Sequence, residues 1–352
     1  MQLFSLYIVE KALSCEKIEN IFKFRENFNI KIQGGVDYKM TESFLAALRV
    51  VCPMMIMMFT GWLCRVKGVI DRPAMKEYDR IIFKVFMPLL LFKNIYEMDF
   101  SQGFAYKEMM FAGVCMFLNF VFCLKFPPVL TDDPRKSSVI GQAVVRGNYI
   151  IFGVVVSEAL YGEGNIGAVV MMGVLVVPVI NIFSAIILEA GRSGNASLRK
   201  LFVAVLKNPM IIGAIFAFVF KFFDIYIPAP VWSGIRSIAN ATTTVSFISL
   251  GVGLDMAGSV SDRKLLCWGI CLRMLLVPLV FMPFAILMGI RGQNLCAMMV
   301  IFAAPSAVAS YPMAVAMGAD GQLAGQLVCT TTILSVLTIF LWTFALKSFG
   351  LM

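Results

Sequence analysis

The chain has 352 residues, of which 60% are hydrophobic and 14% charged, with mean hydropathy +0.85 and a formal net charge of +9. Soluble domains carry about 25% charged residues, so this composition excludes one and points to a membrane protein built from apolar helices of about 20 residues each. There is no histidine, which excludes HExxH zinc chemistry, and the cysteines form no CxxC pair; no cofactor, metal or nucleic-acid partner is expected.

In chain order, residues 1–40 stand apart. Glu10, Lys11, Glu16, Lys17, Glu19, Lys23, Arg25, Glu26 and Lys31 interrupt every apolar stretch, so this segment does not span a bilayer. It also lacks the basic start, continuous apolar core and cleavage site of a secretory leader. The expectation is a non-spanning tail, either an amphipathic surface segment or a start-site artefact, with translation beginning at Met40.

Beyond Met40, apolar runs bounded by charges, Pro and Gly predict helices over 43–64, 80–96, 109–128, 138–160 and 166–189. Five more follow over 206–223, 233–255, 265–289, 295–317 and 322–348. Residues 41–190 thus form one five-helix repeat, 191–205 a short linker and 206–352 a second repeat. The fold class is an all-α integral membrane protein of about ten transmembrane helices.

Basic residues in the short loops orient it. Arg65, Lys67, Arg72, Lys76 and Arg80 follow the first span, Lys125, Arg135 and Lys136 the third, Arg192, Arg199, Lys200 and Lys207 the fifth, and Arg263 and Lys264 the seventh. The opposite face has Lys93, Lys107, Lys221, Arg291 and Lys347. The positive-inside rule then places both termini outside, and the expected location is the plasma membrane.

A shift of 156 residues superimposes Pro53-Met54 on Pro209-Met210, Asp99 on Asp255, Pro127 on Pro283 and Gly162 on Gly318. With an odd number of spans per half, the second half enters from the opposite side. Such inverted repeats characterise secondary transporters, whose sites lie near the midplane where irregular helices of the two halves meet.

Two segments are candidates for broken helices. The fourth span carries Arg146, Gly147 and Asn148 in its middle, and the ninth carries Pro305, Ser306, Ser310, Tyr311 and Pro312 at comparable depth. Exposed backbone at that depth survives only in protein or a water-filled cavity. Arg146 and Arg273 are deep cations while deep acids are few, so an anionic ligand is expected, helped by half-helix N-termini. Alternatively, Arg146 snorkels or pairs with a carboxylate, and so does Arg273. Asn181 and the hydroxyls of Thr242, Thr243, Thr244, Ser246, Thr330, Thr331 and Thr332 are second-tier candidates. For proton coupling, Glu158 or Asp255 would carry the proton; Asp255 lies near a helix end.

The sequences NPMIIGAIFAFVF (208–220), SFISLGVGLDMAG (246–258) and AAPSAVASYPMAVAMGADGQLAGQLVCTTTILSVLTI (303–339) resemble the auxin efflux carrier family. TGWLCRVKGVID, VFMPLLLFKNI and the RGN-to-ALYG stretch agree in the first half. The resemblance implies a fold similar to sodium/proton antiporters and bile-acid symporters: a five-plus-five inverted repeat in which helices one, two, six and seven form an often dimeric scaffold, so a homodimer is expected. The other six form a transport domain whose discontinuous fourth and ninth helices cross at the substrate carboxylate. Carried over, it implicates Asn148 and Phe152-Gly153-Val154-Val155 in helix four, and Pro305 with Tyr311-Pro312 in helix nine. The family usually has a proline after the glycine of helix four, where this chain has Val155, and another near Thr244; a fully broken helix four is thereby less expected. The short linker resembles the microbial branch, associated with malate, malonate and related carboxylates.

Two other readings compete with this one. A sodium-coupled symporter of a larger amphipathic anion would use the Ser and Thr clusters as oxygen ligands, and a non-transporting sensor could use the same fold. An intramembrane aspartyl protease is not expected: Tyr78-Asp79 is present, but Gly251-Val252-Gly253 is followed by Leu254, with Asp255 one place late, about 100° around the helix.

Overall fold

Capping side chains and first-turn prolines open many of the described helices. The computed structural model describes residues 35–97, 106–193, 203, 205–255 and 260–352. The chain divides into two units, residues 1–41 and 42–352; the elements that matter for function lie in the second. Most of the expected tail and of the expected linker lies outside the described residues.

The first half comprises α1 (Gly35–Val66), α2 (Arg72–Ile81), α3 (Met87–Tyr96), α4 (Tyr106–Lys125), α5 (Pro127–Leu130), α6 (Pro134–Val145), α7 (Tyr149–Tyr161) and α8 (Gly167–Ser193). The second comprises α9 (Pro209–Phe222), α10 (Ala229–Gly253), α11 (Val260–Cys271), α12 (Val277–Leu287), α13 (Gly292–Ala303), α14 (Ser310–Ala316) and α15 (Gly321–Ser348). Asp71, Asp133, Asn208 and Asp320 each accept a first-turn N–H, opening α2, α6, α9 and α15. Among the described residues the secondary structure is all helical apart from one isolated bridge.

Two π turns, Ile82–Phe86 and Leu272–Leu276, join α2 to α3 and α11 to α12. Each is followed two residues later by a proline, Pro88 and Pro278. A proline ring clashes with the carbonyl four residues back and donates nothing to it, and the wider π turn relieves that conflict without ending the helix.

Tyr106–Leu130, Gly167–Arg192, Asp262–Leu287 and Gly321–Ser348 are long and apolar enough to cross a membrane. Three of the other expected spans differ for identifiable reasons. The one expected over 80–96 starts at Arg72, because Asp71 caps it, and so includes Lys76, Glu77, Asp79 and Arg80. Those over 138–160 and 295–317 are each split into two short helices, α6 with α7 and α13 with α14. The element order nevertheless repeats. Displaced by 156 residues, α2 and α3 fall on α10, α4 on α11 and α12, α6 on α13, and α8 on α15.

The two split segments are the interior of the fold. Every residue from Ser137 to Tyr149 and from Leu295 to Val308 is buried, as expected of elements surrounded on all sides. Around them, α4 exposes Met110, Val114, Phe117 and Leu118, and α9 exposes Ile212, Ile215, Phe216 and Val219.

Candidate functional site

The breaks in the two interior segments meet. At Arg146 the backbone leaves the helix (φ −96, ψ 88), and Asn148 is likewise non-helical (φ −81, ψ 60). Between α13 and α14, residues 304–309 are also without α-helix. The two stretches run antiparallel through a Gly147–Ser306 bridge, in which the Asn148 N–H donates to Pro305 O (2.8 Å) and the Ala307 N–H to Arg146 O (2.9 Å). Helix four is therefore fully broken although Val155 stands where a proline is usual. The exchanged backbone bonds stabilise the break, so no proline is required to make it.

Arg273 secures this crossing. Its side chain is 1% exposed and donates to Ala304 O (2.7 Å), Val144 O (2.9 Å) and Ile301 O (3.1 Å). These are the last carbonyls of α6 and α13, so one guanidinium satisfies and neutralises the negative ends of both half-helices. Ser306 adds two bonds, its Oγ to Ala143 O (2.9 Å) and its N–H to Thr331 Oγ1 (3.2 Å).

Arg146 differs in kind. It is 4% exposed and makes an ion pair with no carboxylate among the described residues. Its Nη2 donates to Asn181 Oδ1 (2.7 Å) and its Nη1 to Met313 Sδ (2.9 Å). Asn181 Nδ2 donates to Val177 O (2.7 Å), which turns Oδ1 towards the arginine. Among the described residues, Asn148 Nδ2, on the same wall, and Ser310 Oγ, at the start of α14, are buried without a hydrogen-bond partner.

A cavity of about 280 Å³ opens against this group. One wall is the crossing, with Arg146, Gly147, Asn148, Tyr149, Ala307, Val308, Ala309 and, from α8, Asn181. The other is built by α3 and α10, with Leu90, Lys93, Asn94, Ala239, Asn240 and Thr243. Lys93 Nζ donates to Asn240 Oδ1 (2.8 Å) and lies 3.6 Å from Glu97, whose other oxygen Arg236 holds at 2.6 Å. The cavity thus combines an unneutralised buried cation, a second cation on the facing wall, and the N-terminus of α7, whose first N–H groups lack intrahelical partners. That set suits an anion.

Of the residues singled out from sequence, Arg146, Gly147, Asn148, Asn181 and Thr243 line the cavity. Pro305, Ser306 and Arg273 build the crossing behind it. Gly153 packs against α8, where a Cβ would stand 2.5 Å from Val169 Cγ1. Val155 is half-buried outside the cavity lining and Pro312 lies in α14. Tyr311 is buried with its hydroxyl against Gly253. Glu158 is half-buried at the end of α7, where it accepts from the Gly164 N–H (3.4 Å). Asp255 pairs with Arg72 at 3.0 Å, and Thr244 is exposed. On the facing wall the sequence singles out Thr243 alone: Lys93 ends an apolar run and is grouped with the loops. Its signal is the i, i+1, i+4 set Ala239, Asn240 and Thr243 on α10 opposite the Lys93-Asn94 pair.

The comparisons with known proteins agree with this geometry. The family model described as "Membrane transport protein" matches residues 46–198 and 193–343. The chain belongs to that family. It is the auxin efflux carrier family that the motifs of helices nine and ten resemble. Two relatives align along nearly their whole lengths. One is an uncharacterized transporter of Methanocaldococcus jannaschii, 21% identical over 309 residues, 83% of this chain and 96% of the relative. The other is an uncharacterized transporter of Methanothermobacter thermautotrophicus, 23% identical over 317 residues, 86% of this chain and 99% of the relative.

Proposed function

We propose that the protein is a secondary transporter of a small organic anion, a mono- or dicarboxylate such as malate or malonate. The observation that carries this reading is Arg146: a buried guanidinium without a carboxylate partner among the described residues, facing a cavity at a crossing of broken helices. A cation so placed is costly unless a ligand supplies the countercharge. A bound carboxylate accepts from Arg146, from the free amide of Asn148 and from the first N–H groups of α7. A second carboxylate on the same solute reaches towards Lys93.

The ten spans form a five-plus-five inverted repeat, with both termini outside the plasma membrane. Support comes from the recurrence of helix order at a 156-residue displacement. Helices α1, α2, α3, α9 and α10 act as the scaffold, and the apolar face of α9 pairs two copies or meets lipid. The six remaining spans carry the crossing past it by alternating access, driven by a proton or sodium gradient.

The test is uptake of labelled malate and malonate into proteoliposomes, with and without an inward proton gradient and with sodium or choline outside, for wild type and Arg146→Ala. Saturable, gradient-dependent uptake that the variant loses is the expected result. Uptake that survives in Arg146→Ala removes that residue from the site, and uptake of neither acid overturns the substrate class.

A further inference from the structure

Asp79 is the buried carboxylate that the crossing does not use. It is 1% exposed, on the face of α2 that also buries Met75. Three elements pack on α2: α10, α14 and the π turn that follows it. From α10 the Ser249 hydroxyl donates to Asp79 Oδ1, and no ionisable side chain stands between Thr242 and Gly253. From α14, Tyr311 lies within electrostatic reach of the carboxylate. The π turn offers Lys84, which is exposed.

Of the nearby cations, Lys76 and Lys84 are exposed, and the others are committed elsewhere. Arg65 Nη1 donates to Val252 O (3.0 Å) and Leu254 O (2.7 Å), and Arg72 pairs with Asp255. On α2 itself Arg80 pairs with Glu77. Among the described residues Asp79 has no ion pair.

Its position gives this a functional meaning. Asp79 lies about two turns before Met87, on α2, which the π turn joins to the cavity-walling α3, and Ser249 lies six residues beyond Thr243 on α10, the other element of that wall. At about 1.5 Å per residue the pair sits roughly 10 Å further along the same interface. There α14, the continuation of cavity-lining Ala307–Ala309, packs against α2 and α10. The tightness of that packing is visible at Gly253, where a Cβ would stand 1.7 Å from the Tyr311 hydroxyl.

Resting on the transporter reading, we propose that Asp79 is a proton-binding site of the transport cycle, protonated while α14 packs on α2 and α10 and ionised when α14 moves away. An isolated carboxylate held in a dry interface is favoured in its neutral form. Separation of the interface admits water, and the carboxyl group gives its proton to that water. By linkage, the packed arrangement binds one proton more than the separated one, so low pH favours packing and rising pH favours separation. The protein therefore couples proton occupancy at Asp79 to which end of the cavity is closed.

The test is amide hydrogen exchange of 310–316 in the full chain in nanodiscs, between about pH 4.5 and 8 and corrected for the intrinsic pH dependence of exchange, without any substrate. Wild type is expected to lose protection with a midpoint as pH rises, and Asp79→Asn to remain protected throughout. Ser249→Ala removes a hydrogen bond to the ionised form and is expected to move the midpoint to higher pH, a displacement that a merely structural role would not give. Protection in wild type that ignores pH, or a midpoint that persists in Asp79→Asn or stays put in Ser249→Ala, overturns the proposal. So does a change in protection at fixed pH when sodium replaces choline, which would make this a sodium site. Uptake separates the two readings. A pH switch in exchange with no anion uptake sinks the transporter reading alone, whereas anion uptake without the exchange switch sinks the proton site alone.

Discussion

The guanidinium of Arg273 occupies the space into which any side chain at Gly147 would grow: a Cβ there would stand 1.9 Å from Nη2. Gly147 thus serves as the gap through which a cation from α11–α12 reaches the carbonyls of α6 and α13. Gly147→Ala is expected to displace Arg273 and to lower the melting temperature of the purified protein. Arg273→Ala leaves three buried carbonyls short of a donor, a loss on the order of 3 kcal/mol. Because both changes act on one contact, Gly147→Ala in the Arg273→Ala background should cost little more, and the double-mutant cycle in thermal unfolding should be strongly non-additive. Additive losses would mean that the two residues are not coupled.

Arg146 should behave in the opposite sense. Buried without a carboxylate, it contributes little to the stability of the empty protein, so Arg146→Met is expected to leave the melting temperature unchanged or raised. The same variant should reduce anion uptake at least about thirty-fold, corresponding to roughly 2 kcal/mol of lost binding. Asn181→Leu frees the guanidinium to turn and should raise KM with less effect on the maximal rate. Thermal shift and uptake on the same preparations decide it: parallel losses of stability and uptake would make Arg146 a structural cation.

Much of this was legible in the sequence because it depends on local chemistry. Pro, Gly and a deep arginine within apolar runs located both breaks, and the motifs of helices nine and ten located the family. What stayed hidden depends on which side of a helix faces which neighbour. Arg146 and Arg273 read alike in sequence, yet one lines a cavity and the other caps two helices. The completeness of the break at Gly147 was invisible for the same reason, since it rests on backbone bonds to a segment about 160 residues away. Asp79 looked like half of a protease motif, and only the packing of α14 gives it a role.

Lys93 stands on the wall facing Arg146, donates to the neutral Asn240, and has its ionic contact with Glu97 only at 3.6 Å, on a carboxylate that Arg236 already holds. Lys93→Gln is therefore expected to raise KM for a dicarboxylate about ten-fold, equivalent to some 1.4 kcal/mol, while a monocarboxylate of similar size is affected little. Competition of each acid against labelled malate, in wild type and variant, measures both effects. Equal losses for both acids would place Lys93 outside the contact with the second carboxylate.

Gly253 and Tyr311 make the closing contact between α10 and α14, and their geometry sets a size limit on motion there. With a Cβ at residue 253 only 1.7 Å from the Tyr311 hydroxyl, Gly253→Ala displaces the buried Tyr311 ring and is expected to unseat the half-helix that carries it. An outward shift of the half-helix separates Asp79 from its dry surroundings at every pH. The expected consequences are faster exchange across 310–316 and slowed uptake, since one of the two arrangements of the cycle has become unfavourable. Tyr311→Phe removes the clashing oxygen while keeping the ring, so the double variant Gly253→Ala with Tyr311→Phe should recover protection in part. If Gly253→Ala leaves exchange and uptake at wild-type values, α14 does not need this close approach and the interface around Asp79 is looser than its packing implies.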